Sequence, residues 1–193
     1  DQGYKLNMIG RVIKQLKYFM QKSLDQGLHD NRHFQNKSVF RGVTEESFSI
    51  ALSMEEIDKI YALDLSAPKD KKLKIARDAF ICMCDTALRV SDYPKIGQNI
   101  KSIKGRKYIF VKQSKTGGDV VISLTARLEA ILKEYDNKPP QMLDVLINKY
   151  IKSVAFRAGL TDVITWEANK LGKKYEKSAP KWKLVTCHTA RRS

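Results

Sequence analysis

The spacing of apolar residues changes twice along this chain, which limits the folds open to it. Three- and four-residue steps, typical of amphipathic helices, recur over residues 6–20, 54–61, 72–87, 126–135 and 143–158. In the middle, Tyr108–Val111 and Asp119–Ile122 are β-branched or aromatic runs on either side of Lys115–Gly118, which predicts a hairpin that turns at the glycines. Gln98–Ile103 predicts a third strand. We therefore predict a mostly α fold with a small three-stranded antiparallel β-sheet.

Several helix ends are marked by their local sequence. Ser53 and Glu56 form a capping-box pattern, which predicts that a helix begins at Met54. The helix over residues 72–87 is expected to end near Arg89, and Gly159 is typical of a C-terminal helix cap. For residues 165–193 we predict a loop or hairpin that leads to Leu184-Val185-Thr186, with a new helix opening at Thr189.

The charge of the chain indicates a polyanionic partner. It has 36 Lys plus Arg and 21 Asp plus Glu, a net charge of +15. A large positive field attracts polyanions, and contacts between basic side chains and phosphates release counterions, so nucleic acid is the leading partner class. No apolar run approaches the ~20 residues of a membrane span, and no signal peptide is recognisable. The three cysteines, with no CxxC pair, suit a reducing cytoplasm, where we expect the protein to act.

The distribution of charge suggests how the chain is organised. Residues 1–44 carry a net charge of +5 and residues 45–64 a net charge of −5, with polar, mixed sequence over residues 29–44. A single amphipathic helix cannot bury its own apolar stripe, so we expect the first helix to belong to a domain that begins earlier. Because the chain starts at Asp1 and stops at Ser193, just after Arg191-Arg192, we also expect it to be a piece of a longer protein.

Four residues stand out once phosphate is considered as the ligand. Arg89 follows a helix in the run Thr86-Ala87-Leu88-Arg89-Val90-Ser91-Asp92, and Lys115 lies at the tip of the predicted hairpin. His188 and Arg191 are three residues apart, so one helical turn would place both on the same face. Each of these features is common by itself, as a solvated charge or a helix cap. Their order along the chain is more informative.

This order resembles the catalytic domain of the tyrosine recombinases, the integrases of phages and transposons. The resemblance rests on Ala87-Leu88-Arg89-x-Ser91-Asp92 at a helix end, Lys115-Thr116-Gly117 in a hairpin and His188-Thr189-Ala190-Arg191-Arg192, and it covers about residues 45–193. It implies the DNA breaking-rejoining fold, with residues 1–28 as the last helix of a helical, SAM-like core-binding domain and residues 29–44 as a linker. The catalytic domain would be incomplete at its C-terminus. The style of the last motif is closest to integrases of mobile elements.

The resemblance also implies a mechanism without a metal or other cofactor. In this family a tyrosine attacks a DNA phosphodiester and forms a 3′-phosphotyrosyl link with release of a 5′-hydroxyl. Arg89 and Arg191 match the two arginines that bind the phosphoryl oxygens, Lys115 matches the general acid on a mobile turn, and His188 matches a phosphate ligand that assists the nucleophile. Asp92 would orient Arg89. The implied partners are double-stranded DNA and, in the full-length protein, three further copies in a tetramer on paired DNA sites, with no membrane.

One part of the family pattern is missing. The family's nucleophilic tyrosine, and its later His or Trp, follow the His-x-x-Arg motif, whereas all eight tyrosines of this chain precede His188. Trp166 and Trp182 also precede it and are interpreted as core or hairpin residues. We therefore predict that these 193 residues alone do not cleave DNA.

The remaining histidines and the cysteines could suggest other kinds of site. His29 and His33, at i and i+4, could suggest a metal site, but no Cys or carboxylate cluster accompanies them, so we interpret them as solvated. Cys187 beside His188 could suggest thiol chemistry, but we expect a buried strand cysteine. Cys82 and Cys84 are interpreted as small buried hydrophobic residues.

Two other functions would use the same fold. A DNA-binding protein that has lost catalysis is disfavoured because only catalysis requires all four of Arg89, Lys115, His188 and Arg191. A type IB topoisomerase shares the catalytic chemistry, but the compact spacing and the preceding helix favour a recombinase. The rest of the reading frame would separate these alternatives.

Overall fold

The structure is a computed structural model that describes residues 4–170 and 173–193. The described residues form two compact units. The first is drawn from Asp1–Phe48 and Thr165–Ser178, and the second from Ser49–Ile164 and Ala179–Ser193. In the described part of the chain, no helix is both long enough and apolar enough to cross a membrane.

The helices confirm most of the elements predicted from apolar spacing. In chain order, their bounds are α1 Leu6–Asp25, α2 Met54–Tyr61, α3 Lys71–Thr86, α4 Ala126–Glu134, α5 Asp144–Arg157, α6 Lys181–Leu184 and α7 Cys187–Ala190. The capping box at the start of α2 is present, because the Ser53 hydroxyl accepts from the Glu56 N–H and the Glu56 carboxylate accepts from the Ser53 N–H.

The last helix begins earlier than the sequence indicated. We predicted an opening at Thr189, but α7 begins at Cys187. The reason is local: the Thr186 carbonyl accepts from the Thr189 N–H at 2.8 Å, and the Thr189 hydroxyl accepts from the Thr186 N–H at 3.0 Å. Thr189 therefore completes the cap of the first turn. Cys187, predicted in a strand, is buried as the first residue of this helix.

The small sheet is the predicted three-stranded antiparallel one, in the order β1-β2-β3. Its strands are β1 Ile100–Ile103, β2 Arg106–Lys112 and β3 Asp119–Ser123. Tyr108 pairs with Ser123 and Lys112 with Asp119, so the β2–β3 turn falls on residues 113–118. Ile109 and Val111 alternate inward and are buried, which fixes the register of β2 on the core.

Helix α3 is the centre of the second unit. It packs against α2, α4, α5 and α7, and it is buried on most of its surface. Phe80, Ile81 and Met83 are fully buried, and each contributes roughly 1.5–3 kcal/mol by leaving water. Cys82 is fully buried and Cys84 half-buried in the same helix, as expected for cysteines that act as small hydrophobic residues.

A buried ionic cluster joins α3 to its neighbours. The Asp78 carboxylate accepts from Arg77 Nε at 2.8 Å and from the Tyr135 hydroxyl at 2.9 Å. Arg77 also donates to the carbonyls of Tyr61, the last residue of α2, and Leu63, two residues later. Because the charges are paired and hydrogen-bonded, their burial is tolerated, and they orient α2 and α4 on α3.

The first unit contains α1, a segment that returns along it, and part of a hairpin. Gly10 is the buried residue of α1, and a Cβ there would lie 1.9 Å from the carbonyl oxygen of Val43, so the close approach requires glycine. Much of the apolar stripe of α1 remains exposed, including Val12, Leu16 and Phe19.

Two paired strands lie in the region where we predicted a loop or hairpin, and residues 171–172 between them lie outside the described residues. Strands β4 Val163–Lys170 and β5 Lys173–Pro180 pair as a two-stranded sheet. Trp166 on β4 stacks on Phe48 with ring centroids 4.6 Å apart and planes 7° apart. Trp182 lies in α6 and packs edge-to-face on Phe156 of α5, beside the core. The two tryptophans are thus hairpin and core residues, as predicted.

Candidate active site

Arg89 is positioned by the way α3 ends. Ala87 adopts a left-handed conformation at φ 50°, which turns the chain away from the helix axis, and Leu88 is then buried. The Arg89 carbonyl accepts from the N–H groups of Asp92 and Tyr93, at 2.8 and 2.9 Å, and closes a tight turn. The side chain of Arg89 is half-buried, and its Nη1 donates to Gln113 Oε1 at 3.1 Å.

Lys115 is exposed on the turn between β2 and β3. The Gln113 N–H donates to the Gly118 carbonyl and the Gly117 N–H donates to the Gln113 carbonyl, both at 2.9 Å. Gly117 has φ +69°, a conformation that favours glycine. The Thr116 hydroxyl donates to the same Gln113 Oε1 that accepts from Arg89, so one amide oxygen links the arginine to the lysine-bearing turn.

Asp92 connects the same two segments by a different route. It is fully buried, and its Oδ1 accepts from the Ser114 N–H at 2.8 Å, the Ser114 hydroxyl at 2.8 Å and Lys95 Nζ at 3.0 Å. The Ser114 N–H, followed by Lys95, lowers the pKa of Asp92 to about 2. We expected Asp92 to orient Arg89. The Asp92 N–H does bond the Arg89 carbonyl, but the hydrogen bonds of its carboxylate with described residues go to Ser114 and Lys95, so the carboxylate orients the turn that carries Lys115.

His188 and Arg191 are presented by the short helix α7. The Cys187 N–H donates to Asn148 Oδ1 of α5 at 2.8 Å, and α7 packs against α3 as well as α5. Ala190 is fully buried, whereas His188 and Arg191 are exposed. Two further hydrogen bonds hold the residues after α7 in place: the Ser193 hydroxyl donates to the Thr189 carbonyl and accepts from the Leu52 N–H.

The structure links some of the four predicted residues directly and others only through the fold. Arg89 and the Lys115 turn share hydrogen bonds through Gln113. α7, which carries His188, packs on α3, which leads into Arg89. Among the described residues no hydrogen bond or ion pair joins His188 or Arg191 to Arg89 or Lys115. Convergence of all four on one phosphate remains a prediction.

Sequence reasoning missed the residues that orient this site. Gln113 and Ser114 precede Lys115 directly, yet nothing in their type or spacing marks them as partners of Arg89 and Asp92. Asn148 is half-buried in α5, and its neighbours in sequence do not reveal its partner. Its partner is the N–H group at the start of α7.

Two tyrosines that lie near these elements have structural roles. The Tyr93 hydroxyl donates to the Pro140 carbonyl at 2.6 Å, and the Tyr135 hydroxyl donates to Asp78. Burial raises the pKa of both hydroxyls above the ordinary value. Both hydroxyls therefore stay protonated near neutral pH and are engaged in hydrogen bonds within the fold.

The structure also locates the residues that the sequence offered for thiol chemistry or a metal site. Burial raises the pKa of Cys187 to about 11, which keeps the thiol uncharged near neutral pH. His29 differs from our expectation of a solvated side chain: it is half-buried, with Nε2 at 3.0 Å from the Met20 carbonyl and its ring against Phe34. His33 is exposed. In residues 4–170 and 173–193, no group of three His, Cys, Asp or Glu side chains is arranged to bind a metal ion.

Comparisons with known proteins support the fold. No protein-family model matches the chain, and no curated protein matches it in sequence. Among solved structures, lambda integrase (residues 75–356) bound to DNA is similar with a TM-score of 0.58 and 18% identity, over 94% of this chain and 61% of that chain. A lambda integrase tetramer bound to a Holliday junction is similar with a TM-score of 0.55 and 19% identity, over 94% of this chain and 51% of that chain.

A third structure is the XerH site-specific recombinase bound to its difH substrate, in a pre-cleavage complex. Its TM-score is 0.51 at 17% identity, over 78% of this chain and 43% of that chain. The chain therefore spans about two fifths to three fifths of the length of the chains in these structures. With its central α3, its three-stranded antiparallel sheet and its later helices, this chain has the fold of the tyrosine recombinases.

Proposed function

We propose that this chain is part of a tyrosine recombinase that carries out site-specific recombination or integration of DNA, as integrases of mobile elements do. The observation that carries the proposal is the similarity of fold to lambda integrase bound to DNA, which extends over 94% of the chain. The order of Arg89, Lys115, His188 and Arg191 supports it. So does the net charge of +15, which favours binding to a DNA backbone.

The proposed chemistry is phosphoryl transfer in which guanidinium groups stabilise the negative charge that develops on the phosphoryl oxygens. Arg89 and Arg191 would each donate forked hydrogen bonds to the non-bridging oxygens, and both stay charged at any working pH. Loss of one preorganised donor of this kind costs roughly 2.7–4 kcal/mol of transition-state stabilisation. The hydrogen bond of Arg89 to Gln113 supports such preorganisation, because it restricts the guanidinium before DNA arrives.

The proton transfers of this reaction give roles to Lys115 and His188. The tyrosine oxygen forms a bond to phosphorus while the bond from phosphorus to the 5′ oxygen breaks. Lys115 gives a proton to the departing 5′ oxygen, and His188, besides binding the phosphate, accepts the proton of the tyrosine. The exposure of Lys115 and His188 supports these roles, since both side chains are accessible to a large substrate. Arg192, also exposed, would contact the DNA backbone.

The nucleophile is proposed to lie outside these 193 residues. All eight tyrosines precede His188, and Tyr93 and Tyr135 are engaged in the core. The chain by itself would then bind DNA without forming a covalent link. In the longer protein, residues 1–28 would end a core-binding domain, residues 29–44 would form the linker, and four copies would assemble on paired DNA sites.

A nicked suicide substrate tests the proposal, because cleavage next to the nick releases a short strand and traps the covalent intermediate. We expect the longer protein to form an adduct that is lost when Arg89 or Arg191 is changed to Ala. The 193-residue chain should form none. A covalent adduct of the 193-residue chain would refute the assignment of the nucleophile. A longer protein that binds DNA tightly but never cleaves it would favour the binding-only alternative.

A further inference from the structure

We propose that Lys95 is a positioning residue that docks the Lys115 turn onto the segment after α3, so that the general acid is held next to Arg89. The inference rests on the proposed function and concerns a residue whose ammonium group is bonded to protein acceptors. Lys95 Nζ donates to three acceptors: Lys112 O at 2.6 Å, Ser114 Oγ at 2.8 Å and Asp92 Oδ1 at 3.0 Å.

The contacts of Lys95 complete the attachment of the Lys115 turn to the segment over residues 89–95. The three residues before Lys115 are each bonded to the segment over residues 89–95. The Lys112 carbonyl accepts from Lys95, the Gln113 side chain accepts from Arg89, and the Ser114 N–H and hydroxyl donate to Asp92. A hairpin tip bonded only to itself would open easily, since exposed backbone hydrogen bonds break at little cost. Here the turn is bonded to the segment over residues 89–95 as far as Ser114, directly before Lys115.

Burial makes Lys95 essential to this attachment. The side chain of Asp92 is 0% exposed and that of Lys95 is 34% exposed, so the pair is partly shielded from water. The second carboxylate oxygen of Asp92 is buried without a hydrogen-bond partner in the described part of the chain. Without Lys95, the Asp92 carboxylate would lose its only ion-pair partner among the described residues. An unpaired buried charge is strongly unfavourable, so the carboxylate would move toward water and take Ser114 with it.

The two lysines therefore have different roles. Lys95 uses its ammonium group on three protein acceptors and cannot donate to a departing 5′ oxygen without breaking them. Lys115 is exposed and makes no hydrogen bond or ion pair with any residue that the structure describes. We assign proton transfer to Lys115 and the placement of its turn to Lys95.

Hydrogen exchange in the 193-residue chain tests the docking without any catalysis. Lys95→Met keeps the length of the side chain and removes the donor. Lys104→Met removes the same charge from the exposed turn between β1 and β2, at the opposite end of the sheet. We expect the Ser114 amide to exchange at least tenfold faster in the Lys95→Met chain, and unchanged in the Lys104→Met control. Unchanged Ser114 exchange in a folded Lys95→Met chain would overturn the proposal.

Paired substrates test the catalytic consequence in the longer protein. One substrate has the natural 5′ bridging oxygen at the cleavage site, and the other has sulfur in its place. A thiolate leaves without a proton, because thiols are far more acidic than alcohols. We expect Lys95→Met to slow cleavage of the oxygen substrate about 10- to 100-fold, the cost of a misplaced catalytic group. Cleavage of the sulfur substrate should stay within about threefold of wild type, as it should for Lys115→Ala.

The outcomes separate the two proposals. Equal slowing of both substrates by Lys95→Met would show a general loss of structure and overturn the positioning role. Wild-type protein that cleaves neither substrate would overturn the proposed function, and with it the catalytic role of Lys95, whereas the exchange result would still report the docking. If Lys95→Met fails to fold, Ser114→Ala removes the hydroxyl bonded to Lys95 and Asp92, and it should give the same oxygen-specific slowing to a smaller extent.

Discussion

At the scale of single residues, the Asp92 carboxylate shows how one buried acceptor can organise a site. Three donors share its Oδ1, and two of them belong to Ser114, the residue before the proposed general acid. Hydrogen bonds to a charged group contribute about 1.5–3 kcal/mol each, although the half-buried Lys95 and the exposed Ser114 can partly turn to water when the acceptor is removed. We therefore expect Asp92→Ala to lower the free energy of unfolding by about 1–3 kcal/mol at pH 7, measured by urea denaturation.

The same carboxylate gives this effect a pH dependence. Its pKa in the folded chain is about 2, below the ordinary value of 3.8, so its stabilisation is fully present above the ordinary value and is lost as the pH falls toward 2. The difference in unfolding free energy between wild type and Asp92→Ala should shrink over that range. Asp119→Ala, which removes an exposed carboxylate at the other end of the turn, serves as the control for the loss of a negative charge. A difference that stays constant down to pH 2 would contradict the assignment.

At the scale of elements, Gly97 sets how closely two loops approach. It has φ +93°, and a Cβ there would lie 2.1 Å from the Asn137 carbonyl oxygen. Gly105 also has a positive φ, of +78°, but has open space around its Cβ position. We expect Gly105→Ala to cost about 1–2 kcal/mol for the backbone alone. Gly97→Ala should cost about 3 kcal/mol or more, because the loops must also separate. Thermal unfolding of the two variants measures the difference. If Gly97→Ala and Gly105→Ala lower stability equally, the loops at Gly97 and Asn137 do not approach closely.

Asn148 is expected to control the placement of α7. Its Oδ1 accepts from the Cys187 N–H, the first N–H of the helix that carries His188. Asn148→Leu has similar volume and no acceptor, whereas Asn148→Asp keeps an acceptor at the same position. We expect Asn148→Leu to increase exchange of the Cys187 amide and to weaken DNA binding by the 193-residue chain, with Asn148→Asp close to wild type in exchange. If the two variants behave alike, the hydrogen bond does not position α7.

The helices and strands also show how much of the fold could be predicted from the sequence. Helices and strands with a clear apolar period, such as α3 and β2, were predicted within one or two residues, because burial of one face fixes both type and extent. The start of α7 was placed two residues late, because its cap depends on a Thr186–Thr189 exchange of hydrogen bonds that no apolar period marks. Arg89 and Lys115 were predicted as site residues from the order of motifs. Gln113, which bonds Arg89, and Ser114 and Lys95, which attach the turn, could not be predicted, because those contacts join residues 17 to 24 apart.

At the scale of the whole molecule, the positive charge is spread over both units. The first unit has 12 basic and 7 acidic residues and the second has 24 and 14, which gives net charges of +5 and +10. Many acidic residues of the second unit are used internally, as in the pairs of Asp78 with Arg77 and of Asp92 with Lys95. The exposed cations near α7, Arg191 and Arg192, have no carboxylate within ion-pair distance among the described residues. These two are thus available to phosphates.

Salt dependence of DNA binding tests this picture for the chain as a whole. With about 6–10 phosphate contacts, affinity for duplex DNA should fall about 10³- to 10⁵-fold between 50 and 200 mM salt, because bound counterions are released on association. Changing both Arg191 and Arg192 to Gln should reduce the slope of log affinity against log salt by about 0.9 for each phosphate that the protein then leaves unneutralised. Lys104→Gln, at an exposed turn of the sheet, serves as the charge control and should leave the slope unchanged. Fluorescence anisotropy with a labelled duplex measures the slope for the wild type, the double variant and the control.

A slope that the double variant does not change would show that α7 does not face the DNA. Binding independent of salt would exclude an electrostatic DNA-binding surface.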